Sequence, residues 1–361
     1  MTRPAQERRP PGPPPVPYLS GMFCAMSPLA FGLVFDLLGS WPGRTGEPPD
    51  AEAEYEPEET VRALEAAIRR LGHEPVPIGN PHALLSAIGK GELPALDVAL
   101  SIAEGRGSRN REAWAPILLE MAGIPTLGSD ALTLSATLDK AWASTLVAAA
   151  GVPVPEQRVF GSREDARSAD LPGSFPLFVK PRWEGTAKGI AATSRVDDRP
   201  ALAAEVDRIT SVYAQPALVE TFLAGAEYTV TVIGNAPPRA LPVLQRALDA
   251  GTGIGIHALE RHPAPPGGWR AHLPGSLDAD LEAELGGLAI AAYEALGCLD
   301  FARADFRLDD TGRPRFLEMN PLPTFAPDGS FGILAELGGR SLEELLAEVL
   351  DTGLRRLGLA R

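Results

Sequence analysis

An α/β architecture in more than one unit is predicted by three observations. Strand-type and helix-type patterns alternate between Leu29 and Gly123, the 361 residues exceed what one ordinary core encloses, and a hairpin pattern near the C-terminus ends in an apolar strand that carries charge. In chain order, residues 29–38 (LAFGLVFDLL) read as a first buried strand. Residues 39–57 are rich in Gly, Pro and acid and read as a linker. Val61, Leu64, Ile68 and Leu71 follow helical spacing across 58–71, with Gly72 as the stop. Short strands are expected at 75–78 and 96–102, and a helix at 111–121 that ends at Gly123. The alternation implies a parallel, Rossmann-like unit that closes near Gly128.

A second region opens with a helix expected over 129–150, stopped by Gly151, Pro153 and Pro155. The strand PLFVK (176–180), a Gly-containing loop and another short strand follow. A third region begins near Pro216 with LVETF, the alternating strand EYTVTVIG and a helix over 278–296. An amphipathic helix at 341–350 closes the chain. The expected division is a Pro-rich tail (1–27), a Rossmann-like unit (28–128), a central unit (129–215) and a C-terminal unit (216–361).

The densest chemical signal is ARADFRLDDTGRPRFLEMNP, residues 302–321. Two alternating runs flank the turn-forming Asp309, Asp310, Thr311 and Gly312. Side chains alternate across a strand, so Arg303 and Asp305 share one face of the first strand, and Glu318 and Asn320 one face of the second. A two-residue turn centred on Asp310 and Thr311 would set Asp305 opposite Phe316 and diagonal to Glu318, about 7–8 Å away. Two carboxylates and an amide oxygen make a hard, all-oxygen donor set that suits Mg²⁺, with Mn²⁺ the other candidate. A surface hairpin with solvated charges is the competing reading, and Glu318 inside an apolar strand weighs against it.

A net charge of −14 disfavours nucleic acid and anionic membranes as partners. Two cysteines, Cys24 and Cys298, make no disulfide framework, which fits a reducing, cytoplasmic setting. Six prolines between Pro10 and Pro17 interrupt any signal-peptide core, and no apolar run reaches the roughly 18 residues of a membrane span. Lysine is scarce: 29 of 33 basic residues are arginine, and the four lysines are Lys90, Lys140, Lys180 and Lys188. A lysine kept in that background suits a role that needs a compact ammonium. In FVKPRWEGTAKG, a strand carries Lys180 at its end, and the glycines of the turn that follows at 184–189 let backbone N–H groups approach phosphate oxygens. The Walker spacing is absent, and GTGIGI (251–256) lacks the third glycine and following helix of a dinucleotide fingerprint, so it reads as a mobile loop.

Taken in order, GIPTLGSDALTLSATLDK, FPLFVKPRWEGTAKGI, LVETFLAGAEYTVTVIGN and ARADFRLDDTGRPRFLEMNPLP resemble the ATP-grasp superfamily, within it the D-alanine–D-alanine ligase family, over roughly residues 31–350. The resemblance implies an ATP-grasp fold with an N-terminal Rossmann-like (pre-ATP-grasp) domain. It implies that Lys140 and Lys180 hold the α- and β-phosphates of ATP. Glu220 would face the adenine amino group beside the backbone at Phe222 and Leu223, and Glu227 would bind the ribose. Asp305, Glu318 and Asn320 would ligate two Mg²⁺ ions. Arg303 would stabilise the tetrahedral intermediate, and the loop at Gly185 and Thr186 would close over the γ-phosphate. The catalytic set so implied is Arg303, Lys180 and Thr186. The activity implied is ADP-forming carboxylate–amine ligation through an acylphosphate. Expected partners are ATP and amino-acid or small carboxylate and amine substrates, with a homodimer as the candidate assembly.

The substrate half departs from the family. The usual Gly-Ser-Ser is Gly185-Thr186-Ala187, with Lys188 added. The tyrosine-containing loop is matched only by GIHALERH, with His257, Arg261 and His262 as candidates. Pro323-Thr324 replaces a Pro-Gly turn, and the carboxylate-binding serine has only a shifted candidate, Ser330. Glu104, Arg109 and Arg111 fall where the first substrate would approach, while Trp142 and Trp183 read as packing residues. These departures favour a specialised peptide or amide ligase of small-molecule biosynthesis beside the housekeeping cell-wall enzyme. A non-catalytic ATP-binding regulator is the reading from another class.

Overall fold

The computed structural model describes residues 27–360 apart from 42, 44–45, 247, 249–250 and 255–276. Nearly all of the Pro-rich tail, the end of GTGIGI, and His257, Arg261 and His262 therefore lie outside the described residues. The first unit alternates β1 (Ala30–Val34), α1 (Glu58–Arg70), β2 (Glu74–Gly79), α2 (Pro81–Lys90), β3 (Val98–Ser101), α3 (Trp114–Met121) and β4 (Thr126–Leu127). Its sheet is parallel in the order β2-β1-β3-β4. The apolar stripe of α1 buries Val61, Leu64 and Ile68, and the chain leaves that helix through Gly72 at φ +81°. A parallel sheet needs both faces covered, and α2 and α3 supply the second cover by packing Leu84, Ala115 and Leu119 on Val34 and Ala99.

The expected helix over 129–150 is two helices, α4 (Ala131–Leu138) and α5 (Lys140–Ala149). The break falls at Asp139, which adopts extended backbone (ψ 91°) and caps α5 by accepting from the Trp142 N–H. Helical spacing continues across the junction, so periodicity does not reveal it; the side-chain bonds of Asp139 to Arg182 and Trp183 hold it. The second sheet follows with β5 (Gln157–Phe160), α6 (Arg163–Ser168), β6 (Leu177–Pro181), β7 (Arg195–Val196), α7 (Arg199–Val212) and β8 (Ala217–Thr221). It is antiparallel, in the order β5-β8-β6-β7, with α7 on one face.

The third unit holds β9 (Glu227–Ile233), β10 (Arg239–Ala240), β11 (Leu244–Arg246), α8 (Ala279–Ala295), β12 (Phe301–Leu308), β13 (Pro314–Asn320), α9 (Ser330–Leu337) and α10 (Leu342–Arg356). Its sheet runs β10-β9-β12-β13, with β11 also paired to β9, all antiparallel. Helix α8 and the start of α5 cover one face, around Tyr293, Phe306 and Phe316. Helices α9 and α10 join this sheet to the first unit: Phe331, Leu346 and Leu350 share a core with Ile233 and Phe301 of the sheet and with Phe31 and Leu64 of the first unit. The chain thus returns to its beginning.

The hairpin register differs from the expected one. The loop between β12 and β13 is five residues, Asp309 to Arg313, because the Asp309 carboxylate accepts from the backbone of Thr311 and Arg313 and closes a wider turn. Leu308 pairs with Pro314 and Phe306 with Phe316. A bulge between Asp305 and Phe306 then shifts the ladder, so that Asp305 lies directly opposite Glu318 and Arg303 opposite Asn320. The four chemical side chains therefore pair directly across the strands, where Cβ atoms are about 4.5–5.5 Å apart, closer than on the diagonal.

Candidate active site

The cleft between the second and third sheets collects the predicted nucleotide residues. Phe178 and Lys180 of β6 and Glu220 of β8 line one wall, and Glu227 of β9, Asp305 of β12 and Glu318 of β13 line the other. Phe222, Leu223 and Ile254 add apolar surface to the lining. Lys180 Nζ pairs with Glu220 Oε2 at 2.8 Å inside this cleft. The other oxygen, Glu220 Oε1, is buried with no hydrogen-bond partner. A buried acceptor without a donor is costly unless a ligand supplies one, so this oxygen suits an N–H donor such as an exocyclic amine. Glu227 is buried beside Arg246 (3.5 Å) and Arg307 (3.7 Å), and burial outweighs both cations and raises its carboxyl above the usual range.

Lys140 is the first residue of α5, so the break at Asp139 aims it into the cleft. It pairs with Glu318 at 3.2 Å and donates to the Glu184 carbonyl. Burial would raise the Glu318 carboxyl, but Lys140, Lys180 and Arg303 hold it well below the usual range. Asp305 is gripped by Arg303, which donates from Nε and Nη2 at 3.0 and 2.9 Å, by Arg246 at 3.3 Å, and by the Thr229 hydroxyl at 2.5 Å. The Asn320 amide donates to Glu318 at 3.4 Å. Among the described residues no group of three or more His, Cys, Asp or Glu side chains is arranged to hold a metal. The donor set of Asp305, Glu318 and the Asn320 amide oxygen nevertheless fits a hard divalent cation, because all three are oxygens on one face of one hairpin.

The phosphate-type loop adopts a conformation that its sequence does not announce. Thr186 and Ala187 both sit at positive φ, +50° and +56°. Such backbone costs non-glycine residues roughly 1 kcal/mol or more each and persists only where the surroundings hold it. The surroundings here are residues 50–54, the stretch that reads as a linker. Glu54 accepts from the Gly185 N–H (2.5 Å) and pairs with Lys188 (2.8 Å) and Arg111 (2.9 Å). Asp50 accepts from the Gly189 N–H (2.8 Å) and the Tyr213 hydroxyl (3.0 Å). Burial works against the Glu54 carboxylate, yet Arg111 and Lys188 hold it down at about 2. Sequence reasoning missed Asp50, Glu54, Glu112, Arg246 and Arg307. Only Arg307 carries a readable signal, since it lies two residues beyond Asp305 on the same strand face.

Arg111 is committed to Glu54, Glu184 (3.4 Å) and the Trp183 carbonyl (2.8 Å). Arg109 lies over the Trp142 and Trp183 rings, at 4.8 and 5.7 Å. Glu104 instead lines a second, larger cavity of about 630 Å³ between the first unit and the hairpin. Lys140, Arg246 and Glu318 line both spaces, so this trio marks their junction. Thr186, Arg303, Asn320 and Ser330 line the larger space.

Two antiparallel sheets facing across a lysine-lined cleft, with a parallel α/β unit at one end, define an ATP-grasp protein. Residues 146–351 match the family model described as D-ala D-ala ligase C-terminus. The chain belongs to the D-alanine–D-alanine ligase family. It is 30% identical over 306 residues to the "Uncharacterized protein y4sG" of Sinorhizobium fredii, covering 81% of this chain and 86% of that one. It is 30% identical over 299 residues to the D-alanine--D-alanine ligase of Desulforudis audaxviator, covering 82% and 92%. A D-alanine--D-alanine ligase from Bacillus anthracis, solved complexed with ATP, shares the fold with a TM-score of 0.67 at 20% identity over 91% of this chain and 98% of that one. As a member of this family the chain is an ATP-dependent, ADP-forming ligase that makes a C–N bond.

Proposed function

We propose that the chain phosphorylates the carboxylate of one amino-acid-like substrate and joins it to the amine of a second, and that the residues at the cavity junction do this work. The observation that carries the reading is the trio Lys140, Glu318 and Arg246, which stands where the nucleotide cleft opens into the 630 Å³ cavity. In the first step a carboxylate oxygen attacks the γ-phosphorus, the bond to the β-phosphate oxygen breaks, and ADP leaves. In the second the amine attacks the acyl carbon, the C–O bond to phosphate breaks, phosphate departs, and the amine proton passes to solvent or a carboxylate. Lys140 and Lys180 bind the phosphates, and the orphaned Glu220 Oε1 takes the adenine amino group. The backbone at Phe222 and Leu223 stands beside Glu220 at the adenine, and Glu227 holds the ribose. Asp305, Glu318 and Asn320 would hold Mg²⁺, which supplies charge neutralisation on the phosphates. Arg303, which lines the larger cavity, would stabilise the developing oxyanion. Gly185 and Thr186 cover the γ-phosphate and keep water from the acylphosphate.

The substrate half differs from the family at the phosphate loop and past Asn320, which favours a specialised amide ligase over cell-wall synthesis. Consumption of ATP fits a cytoplasmic setting, and among the described residues no helix is long and apolar enough to cross a membrane. The test is ADP release with Mg²⁺ and a panel of amino acids, with ligated products identified by mass spectrometry. Asp305→Ala and Glu318→Ala should each lower turnover by about 100-fold or more. Full turnover in either variant would remove the metal assignment. Efficient D-alanyl-D-alanine synthesis by the purified chain would remove the specialised role.

A further inference from the structure

The larger cavity has an unbalanced charge. Three cations line it, Lys140, Arg246 and Arg303, and each is committed to a carboxylate on the nucleotide side: Glu318, Glu227 with Asp305, and Asp305. The opposite wall belongs to the first unit and the approach to α9. It presents Glu54, Glu56, Glu104, Glu112 and Asp328. Glu54 is neutralised by Arg111 and Lys188. Among the described residues, the Glu56 carboxylate accepts from two neutral hydroxyls, Thr60 and Thr324, and from no cation. Glu104, Glu112 and Asp328 make no ion pair or side-chain hydrogen bond among the described residues. Among the described residues, four carboxylates thus face one space with no cation in ion-pair contact.

Burying like charges together is costly unless something offsets them. The cost is visible at Glu112, where burial first and then Glu54 and Glu184, against Arg111 and Lys140, push the carboxyl up to about 7. Burial, Glu112 and Glu54 drive Glu104 upward in the same way. A second, separate feature marks the space as built for a ligand: Ser330, only 1% exposed, lines the cavity and its hydroxyl has no hydrogen-bond partner. Two simple neutral amino acids bring two ammonium groups and two carboxylates. They could satisfy Ser330 and two acids and would leave the other two acids uncompensated. A cavity of about 630 Å³ also exceeds what two alanines fill.

We propose that one of the two substrates joined here carries two positive groups, as a basic amino acid or a diamine does, with Glu104 and Glu112 receiving the charge that takes no part in the reaction. This inference rests on the ligase reading above and names its substrate class. Glu104 and Glu112 lie on the loop after β3 and on the turn preceding α3, on the far wall from the metal-type hairpin. They would select the substrate without entering the chemistry.

The discriminating experiment uses the full chain with ATP and Mg²⁺ at pH 8, reading phosphate release and ligated product. The panel contains lysine, arginine and ornithine of either hand, putrescine and agmatine. Alanine is the neutral control, and norleucine, which has nearly the shape of lysine without its charge, is the decisive one. The expected result is a kcat/KM for at least one dication about 100-fold above norleucine. Glu104→Gln/Glu112→Gln should reduce that preference at least tenfold, mainly through KM, and Glu112→Asp should restore part of it. The single variant Glu104→Gln serves if the double variant folds poorly, with ADP binding by calorimetry reporting on the nucleotide half. Equal use of norleucine and lysine, unmoved by these substitutions, overturns the inference and leaves the ligase reading standing. ATP binding without amide formation from any member of the panel overturns the ligase reading, and the inference falls with it.

Discussion

Glu112 shows how a single residue can be set against stability. Its carboxyl ordinarily loses its proton near 4.5 and in the fold does so near 7, for reasons of burial and neighbouring acids. The folded form keeps a proton that the unfolded chain has released, so the stability it contributes declines as pH rises from about 4.5 to 7 and is flat above. The full penalty is at most about 3 kcal/mol. Glu112→Gln should therefore melt higher than the parent above pH 7, with the difference vanishing toward pH 4.5; thermal unfolding across that range measures it. A variant no more stable at pH 8 would show that Glu112 is compensated. Gain of stability with loss of substrate affinity is the pattern of a residue placed for function. Glu220 makes the complementary case, since its orphaned Oε1 should gain a donor when nucleotide binds. Glu220→Ala should weaken ADP binding about tenfold by calorimetry, and an unchanged affinity would remove it from the adenine site.

The element that carries most consequence is the break between α4 and α5. Asp139 caps α5, bonds Arg182 at 2.7 Å and Trp183 at 3.1 Å, and so fixes Lys140 at the mouth of the cleft. Asp139→Ala removes the cap and a buried ion pair together, at a cost of about 1–3 kcal/mol. It should also raise the ATP Kd, because Lys140 loses its anchor. Retention of parental affinity would mean that Lys140 is positioned by Glu318 alone. The β12–β13 hairpin shows the same dependence on local detail. Its alternation is legible in ARADFRL and RFLEMN, but pairing of Asp305 with Glu318 depends on a five-residue loop and a bulge. Both arise from side-chain bonds and cross-strand packing that a two-residue turn pattern does not encode.

At the scale of the molecule, Asp300 joins distant segments. Wholly buried and at φ +64°, it accepts from the Gly128 N–H (2.8 Å), the Asn235 amide (2.9 Å) and Arg356 of α10 (2.7 Å). It therefore ties the end of the first unit to the third sheet and to the final helix. Asp300→Ala leaves Arg356 uncompensated and should cost about 3 kcal/mol or more, read as a lower midpoint in urea. A midpoint within experimental error of the parent would mean that the shared core around Phe31, Phe331 and Leu350 holds the units together by itself. Residues 50–54 act at the same scale, since Asp50 and Glu54 reach from the first unit to hold the loop at Gly185–Gly189 of the second.

Read alone, the sequence determined the α/β class, the order of most elements and the family, and it picked out residues that the fold brings to one cleft. These depend on short-range periodicity, on glycine and proline stops, and on motifs such as LDK, VKP, VETF and FLEMN that keep their spacing along one strand or turn. Tertiary structure decided which faces meet: the direct pairing of Asp305 with Glu318, the broken helix at Asp139, the grip of Asp50 and Glu54 on the loop at Gly185–Gly189, and the gathering of Glu56, Glu104, Glu112 and Asp328 around one cavity. Those residues are separated by tens to hundreds of positions, and the charge a site presents is a sum over space. No local pattern holds that sum, because only chain folding brings its members within the few ångströms over which buried charges act strongly on one another.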